Sequence, residues 1–168
     1  MSIRLSKFLA DSGVASRRGG EELIKSGAVS INGKIVDTPV FFVDGSEKIC
    51  VNGVEVKKTD EIKLYMFHKP INTMTTTKDP ENRKTIYDVL DKKYHNLKYI
   101  GRLDFKTSGL LLLTNNGDFA RQMSLPKNHI ERTYIATVDS FSEKQLNLAR
   151  RGVVVDGIKY RPMKIEVI

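Results

Sequence analysis

The residue with the clearest chemical potential is Asp104, which lies in the loop sequence GRLDFKTSG, residues 101–109. Arg102 and Lys106 are its near neighbours, and cations beside a carboxyl group favour the ionised form. An ionised, partly desolvated carboxylate can act as a nucleophile or as a base. Asp also forms turns readily, so on residue type alone a purely structural role stays open.

Other common catalytic patterns are absent from the sequence. No second carboxylate has the spacing of a glycosidase pair, no Ser-His-Asp order occurs, and no glycine loop of the nucleotide-binding kind is present. The three histidines are scattered and the single cysteine, Cys50, has no partner at ligand spacing, so we expect no metal site. A chemistry that needs one acid remains.

The distribution of charge indicates a polyanionic partner. The chain has a net charge of +8 and a pI near 9.5. Residues 1–60 have nine Lys/Arg against eight Asp/Glu (net +1), whereas residues 61–168 have 19 against 12 (net +7). Such an excess favours nucleic acid over a protein partner. The longest apolar run, Gly109 to Leu113, is far shorter than the about 20 residues that cross a bilayer, so we expect a cytoplasmic protein.

A second group of candidate residues is the pair Arg17 and Arg18. Ser16 is a natural N-cap and Gly27 a natural end for a helix, which places both arginines in the first helical turn. The helix dipole disfavours cations there by several tenths of a kcal/mol or so. A phosphate site explains this placement, because helix-terminal N–H groups and guanidinium groups both bind phosphate. The alternative is a solvated arginine pair.

The elements that must position these residues change in type along the chain. Helical spacing predicts a first helix from a possible Ser2 cap to Gly13, followed by the helix after Ser16. Two Asn-Gly pairs, at residues 32–33 and 52–53, predict tight hairpins. Residues 55–62 are polar and predict a linker between a domain of residues 1–60 and one of residues 61–168.

The second domain is predicted to contain strands that flank the Asp104 loop. Residues 62–70 and 97–101 are predicted to be strands, and the apolar run in residues 109–115 predicts a fully buried strand. Residues 117–126 predict a helix, residues 130–138 alternate as a strand, and Asp156-Gly157 predicts a last hairpin. Strands and helices do not alternate strictly, which favours an α+β fold with a mostly antiparallel sheet.

The first domain resembles the S4 RNA-binding domain. The matching stretches are RLSKFLADSGVASRR, EELIKSGAVSINGKIV and VDGSEKICVNG, within residues 2–56. The resemblance implies a small module of helices and hairpins that binds structured RNA through a basic helical face, here Arg4, Lys7, Arg17 and Arg18, with Lys25 and Lys34 as further candidates. One departure is Gly19-Gly20 inside the second helix, where better helix formers are usual.

The second domain resembles the pseudouridine synthases that act on ribosomal RNA. The stretch GRLDFKTSGLLLLTNNGDFA resembles their active-site motif, and FHKPINTMTT, PKNHIERTYIATV and LARRGVVVDGIKYRP support the resemblance. The resemblance implies isomerisation of a uridine in ribosomal RNA, more specifically 23S, without cofactor or metal. It makes Asp104 the catalytic acid. Arg102 and Lys106 become RNA-binding, with Arg102 filling the gap left by the flipped base, and Tyr134 stacks on the uracil.

One departure concerns the end of the chain. Members of this family continue with further strands and an arginine that pairs with the catalytic aspartate, and the sequence stops at KIEVI without them. We therefore expect a catalytic domain that is incomplete at its C-terminus. We also expect the protein to be a monomer. The alternative function is a non-catalytic ribosomal-RNA-binding protein, or an inactive synthase, that acts in ribosome assembly.

Overall fold

The computed structural model describes residues 2–58 and 61–168. The predicted linker includes residues 59 and 60, which lie outside the described residues. Two compact units are present, Met1–Ile130 and Glu131–Ile168. Within the described ranges every strand pair is antiparallel, as the sequence predicts for an α+β fold.

Short helices and short strands make up the regular structure. The α-helices are α1 (Leu5–Asp11), α2 (Arg17–Lys25), α3 (Gly117–Ser124) and α4 (Glu143–Arg151). The strands are β1 (Ile3–Arg4), β2 (Val29–Ile31), β3 (Lys34–Ile35), β4 (Phe42–Val43), β5 (Ile49–Val51), β6 (Val54–Glu55), β7 (Leu64–Lys69), β8 (Lys98–Ile100), β9 (Gly109–Thr114), β10 (Val153–Val155) and β11 (Ile158–Tyr160).

The N-terminal module is a pair of helices over a small sheet. The predicted helix after Ser16 is confirmed, but α1 begins later than predicted. Arg4, not Ser2, is the N-cap of α1, because Ile3 and Arg4 pair with β4 as a short strand. The glycine departure has a packing reason. A Cβ atom on Gly20 would lie 3.3 Å from the Ser6 carbonyl oxygen, so glycine lets α1 and α2 approach closely.

The sheet of this module has the order β3-β2-β5-β6. Its two predicted hairpins are confirmed, since Asn32-Gly33 and Asn52-Gly53 both have the positive φ values that a type I′ turn requires. One face of the sheet packs on the helices. The buried core of the module consists of Leu5, Phe8, Leu9, Ile24, Val29, Ile31, Val43, Ile49 and Val51.

A second sheet, with the order β7-β9-β8, forms the scaffold of the Asp104 loop. β9 is the central strand and its start, Gly109, pairs with the end of β7, Lys69. This sheet has its own core, which consists of Ile86, Leu97, Leu111 and Leu113, with several partly buried aromatic residues packed against it. The Asp104 loop joins β8 to β9.

The prediction that β9 is fully buried is wrong. Leu111 and Leu113 are 2% and 1% exposed, whereas Leu110 is 62% exposed and the facing strand presents Met66 at 82%. Successive side chains of a strand point to opposite faces, and the core covers only the face with Leu111 and Leu113. A continuous apolar run thus did not require burial on both sides.

The second unit contains α4, β10 and β11. The capping box of Ser142 and Gln145 begins α4, and Asp156-Gly157 forms the predicted hairpin turn. The predicted strand at residues 130–138 is wrong, because no strand is assigned there in the part of the chain that the structure describes. An alternating segment becomes a strand only when a neighbour supplies backbone hydrogen bonds.

Among residues 2–58 and 61–168, no helix combines the length and the apolar character that a membrane span needs.

Candidate active site

The backbone of the acid loop, residues 101–108, is fixed, and its carboxylate is not. The N–H of Thr107 donates to the carbonyl oxygen of Asp104 at 3.0 Å, which closes a turn with Asp104 at its first position. The Asp104 side chain is exposed. Within the described ranges its carboxylate takes part in no hydrogen bond or ion pair shorter than 4 Å. The acid is therefore held through its main chain alone.

The buried residue Lys69 binds the main chain of the acid loop. Its side chain is fully buried, with 0% exposure. Its ammonium group donates to the carbonyl oxygens of Asp104 at 3.0 Å, Thr107 at 2.8 Å and Pro70 at 3.1 Å. Three donors thus meet three acceptors, which satisfies the group completely. The pairing of Lys69 with Gly109 in the sheet explains this reach, because it places the lysine beside the end of the loop.

The charge of Asp104 also acts on Lys69. Burial lowers the pKa of Lys69 from its usual value, and the negative charge of Asp104 opposes that effect. The two groups are therefore electrostatically coupled, although Lys69 bonds to the main chain of Asp104 and not to its carboxylate. This lysine is the cation that the structure brings to the acid loop.

Side-chain hydroxyl groups hold the beginning of the loop. Thr75 donates to the Leu103 carbonyl oxygen at 2.8 Å and accepts from the Leu103 N–H at 3.3 Å, which imitates a strand pairing. Ser124 at the end of α3 accepts from the Gly101 N–H at 3.0 Å. The loop leaves through Gly109, whose φ of +137° is one that other residues rarely adopt. The loop is thus supported on both sides.

A closed turn at residues 79–83 belongs to the segment that supports Thr75. Arg83 donates to both carboxylate oxygens of Asp79, at 3.0 Å and 2.9 Å, and the backbone N–H groups of Glu81 and Arg83 donate to one of them. Asp79 is 5% exposed. These bonds, above all the one from the Arg83 side chain, lower the pKa of Asp79 to about 2.

Arg102 and Lys106, the cations that the sequence places beside Asp104, are both exposed. Neither forms an ion pair with Asp104 in the described part of the chain. Sequence reasoning missed Lys69 instead. The signal was present in the alternation of β7, because Tyr65 and Phe67 share a face with Lys69 and that face packs on the core.

Tyr134 belongs to the second compact unit. It lies in a segment without regular secondary structure and is 60% exposed. Its role toward the uracil stays a prediction.

The basic residues of the N-terminal module are placed in two ways. Ser16 caps α2 by accepting from the Gly19 N–H at 3.0 Å, and Arg17 and Arg18 are exposed in the first turn. Arg4 is exposed at the start of α1. Lys7 differs, because its ammonium group is bonded to two carboxylates and its side chain is only 20% exposed. Its contact with RNA stays a prediction.

In the described ranges, no group of three or more His, Cys, Asp or Glu side chains is arranged to hold a metal ion.

Comparison with known proteins gives concordant results for both halves of the chain. Residues 63–163 match the family model for RNA pseudouridylate synthase, and residues 3–49 match the S4 domain. The chain is 40% identical to ribosomal large subunit pseudouridine synthase B of Bacillus subtilis, over 98% of this chain and 68% of the relative. It is 38% identical to an uncharacterized RNA pseudouridine synthase of Rickettsia felis, over 98% of this chain and 71% of that protein.

A solved pseudouridylate synthase structure superposes with a TM-score of 0.61 at 28% identity, covering 99% of this chain and 73% of the other. The acid loop, its sheet and these matches lead to one conclusion: the chain belongs to the RNA pseudouridylate synthase family and carries an S4 domain at its N-terminus.

Proposed function

We propose that this chain converts a uridine of ribosomal RNA to pseudouridine, with Asp104 as the catalytic acid. In this proposal residues 61–168 carry out the reaction and residues 1–60 bind the RNA. The target is a nucleotide of the large-subunit RNA. Support for the substrate class comes from the Bacillus subtilis relative, which is named for the ribosomal large subunit, and from the net charge of +8.

The observation that carries the proposal is the exposed carboxylate of Asp104 on a fixed main chain. Its carbonyl oxygen is bonded to the fully buried Lys69 at 3.0 Å, while the carboxylate itself has no partner among the described residues. Because the main chain is positioned before the substrate arrives, only the Asp104 side chain has to be ordered when the RNA binds. The exposure leaves room for a nucleoside to reach it.

The reaction is an isomerisation, so its atoms balance within the nucleotide. The N1–C1′ bond breaks, the uracil turns while it is bound, and a C5–C1′ bond forms. C5 then loses its proton and N1 gains one. Asp104 serves by attack on the sugar, by attack on the base, or by removal of a ribose proton.

The target uridine must leave the RNA stack to reach Asp104, at a cost of a few kcal/mol. In this proposal Arg102 fills the space that the base leaves, and Lys106 binds a neighbouring phosphate. Tyr134 stacks on the uracil and assists removal of the C5 proton. An aromatic ring and a guanidinium group are suited to these roles, because both present a flat face to a base.

The S4 domain would bind the RNA through the amino end of α2. Arg17 and Arg18 are exposed beside the N–H groups of the first turn, and both features attract phosphate. Arg4 extends this face at the start of α1. The unfavourable interaction of these arginines with the helix dipole is then compensated when a phosphate binds.

Tritium release from ribosomal RNA labelled at C5 of uridine tests the proposal, because the C5 proton is lost in the reaction. We expect turnover by the unaltered chain and a loss of at least about 1000-fold in the Asp104→Ala variant. The matched control is Asp37→Ala, which removes an exposed carboxylate from the N-terminal module. Turnover by Asp104→Ala at the control rate would refute the role of Asp104.

RNA binding without turnover by the unaltered chain would instead support the alternative of a non-catalytic RNA-binding protein. Mapping of pseudouridines in ribosomal RNA from cells that lack the gene would identify the target nucleotide. Loss of a site in small-subunit RNA alone would refute the large-subunit assignment.

A further inference from the structure

The N-terminal module and the synthase sheet have separate hydrophobic cores. The core of the module consists only of residues between Leu5 and Val51, and the core of the sheet only of residues between Ile86 and Leu113. The partly buried apolar residues packed against the first core lie between Ile3 and Val56, and those packed against the second lie between Tyr65 and Leu103. Among the described residues neither apolar cluster joins the two parts, so the polar contacts between them are the candidates for setting their relative orientation.

A cluster of four charged residues spans this junction. The ammonium group of Lys7 in α1 lies 3.0 Å from the carboxylate of Asp11 and 2.7 Å from that of Asp118 in α3. Lys98 of β8 donates to the carbonyl oxygen of Ala10 at 3.0 Å and to that of Asn115 at 3.2 Å. Each lysine thus joins the module to the synthase half. We call these residues, Lys7, Asp11, Lys98 and Asp118, the junction cluster.

The surroundings of the junction cluster strengthen it. The side chains of Lys7, Asp11 and Lys98 are 20%, 10% and 30% exposed, so water screens them only in part. Ala10 lies in the last turn of α1, where the helix dipole favours a cation. Burial alone would lower the pKa of Lys7, but the hydrogen bonds with Asp118 and Asp11 outweigh it and raise that pKa.

The cluster is also electrostatically coupled to the proposed RNA-binding face. The charge of Arg17 helps to lower the pKa of Asp118 and that of Lys98, although the hydrogen bond from Lys7 and burial, respectively, are the larger causes. Arg17 therefore acts on both synthase-side members of the junction cluster. A phosphate bound at the amino end of α2 would be held at a distance from Asp104 that this cluster sets.

We propose that the junction cluster fixes the distance between the RNA-binding face of α2 and Asp104. The protein would then select RNAs in which the phosphate bound at α2 and the target uridine are separated by that distance. Lys7, Lys98 and Asp118 are positioning residues in this role. The role in RNA selection rests on the proposed function. The spacing itself does not, because it can be measured without RNA.

Pulsed EPR on the full chain measures the spacing directly. Spin labels are attached at Lys34→Cys in the module and Lys92→Cys in the synthase half, both exposed sites, with Cys50→Ser as background. We expect a narrow distance distribution in the reference chain, a broader one in Asp118→Asn, and a return to the reference width in Asp118→Glu. The control Asp37→Asn should leave the width unchanged.

An unchanged width in Asp118→Asn overturns the proposal. The side chain of Asp118 is 62% exposed, so its neutral variant is expected to fold, and a thermal melt checks this. Lys98→Met removes the second arm of the cluster. The double variant with Asp118→Asn should give a broader distribution than either single change, and equal widths in all three would also count against the cluster.

RNA affinity distinguishes the positioning role from a simple charge effect. Asp118→Asn and Asp37→Asn make the chain more positive by the same amount, which by itself favours RNA in both. We expect Asp118→Asn to bind a folded ribosomal RNA fragment roughly two- to fivefold more weakly than Asp37→Asn does. Both should bind a short single-stranded oligonucleotide equally, because it contacts only one part of the protein.

The outcomes separate the two proposals. A broadened distribution with equal RNA affinities refutes the role in selection. Tighter binding of folded RNA by Asp118→Asn than by the control also refutes it, because a freed Lys7 would then be a phosphate ligand. Absence of uridine turnover in the unaltered chain, together with the expected EPR widths, refutes the proposed function and leaves the junction cluster supported.

Discussion

The acid loop and the amino end of α2 both present charged side chains to solvent, but they are built differently. The loop is held by residues far along the chain, namely Lys69, Thr75 and Ser124. The arginine pair is held by its own helix, through the Ser16 cap three residues from Gly19. One site thus depends on tertiary structure and the other on local sequence.

The two sites therefore differ in how much each lowers the stability of the folded state. The acid loop requires a buried ammonium group, whose desolvation is offset only because three carbonyl oxygens accept from it. The arginines require only an unfavourable position in the helix dipole, worth several tenths of a kcal/mol or so. We therefore expect substitutions at the acid loop to have larger effects on stability and turnover than substitutions at α2, and to affect more distant parts of the chain.

The largest effect is expected from Lys69→Met. The variant keeps the volume but removes the ammonium donor from the carbonyl oxygens of Thr107 and Pro70, and it leaves the Asp104 carbonyl oxygen with the Thr107 N–H alone. The expected cost is about 1–3 kcal/mol for each group left unpaired. A displaced Asp104 should reduce turnover by roughly 100-fold. Denaturant unfolding and tritium release measure the two effects.

The matched control for this variant is Lys92→Met, at an exposed lysine of the same domain. It should leave stability and turnover close to those of the unaltered chain. If Lys69→Met behaved like its control, the acid loop would be as locally determined as the amino end of α2, and the comparison would fail.

The next effect is expected from the double change Arg17→Ala and Arg18→Ala. Loss of two phosphate contacts should lower the slope of log affinity against log salt by about two units. The same change should raise thermal stability slightly, because alanine removes the unfavourable dipole interaction. Salt-dependent RNA binding and thermal melts test these opposite signs.

Lys25→Ala serves as the contrasting variant for that experiment. Lys25 lies in the last turn of α2, where the dipole favours a cation, so its loss should lower stability a little. Weaker RNA binding without any gain in stability in the double variant would show that the arginines also have structural partners.

Ser16→Ala should have a smaller and purely local effect. Removal of the N-cap costs about 1 kcal/mol of stability and frays the first turn of α2. Hydrogen exchange should show the loss in residues 17–20 and not in the acid loop. An exposed serine elsewhere, Ser140→Ala, is the control, and faster exchange around Asp104 in Ser16→Ala would contradict the separation of the two sites.

The last prediction concerns Asp79→Asn, whose effect depends on pH. Arg83 holds the pKa of Asp79 at about 2, below its usual 3.8. A lowered pKa stabilises the folded state above pH 3.8, and that contribution is lost as the pH falls through about 2. The free energy of unfolding of the variant should therefore fall less steeply, as the pH is lowered from 3.8 to about 2, than that of the unaltered chain. Equal slopes would show that the pair contributes nothing.

Local signals in the sequence were sufficient for many elements. Ser16 and Gly27 bound the second helix, and the Asn-Gly and Asp-Gly pairs form hairpins, because caps and tight turns depend on a few adjacent residues. The antiparallel α+β class also followed from the order of elements. The motif around Asp104 was visible as a loop between two strands.

Signals that depend on distant partners were misread or missed. The leucines of β9 gave no indication that Leu110 is exposed, since burial of one face depends on what packs there. The alternation in residues 130–138 did not produce a strand in the described part of the chain, because a strand needs a neighbour that supplies a ladder of backbone hydrogen bonds. The ion pairs of Lys7 with Asp11 and Asp118 were missed as well, because Asp118 is distant in sequence, while the role of Lys7 toward RNA stays a prediction.

The sequence by itself determined the two domain types, the turn chemistry and the position of a carboxylate in a loop, because each is encoded over a few neighbouring residues. Only the tertiary structure decided which cation supports that carboxylate and what joins the two domains. Lys69 and Asp104 are 35 residues apart, and Lys7 and Asp118 are 111. Contacts over such separations form only when the chain folds, so no local pattern specifies them.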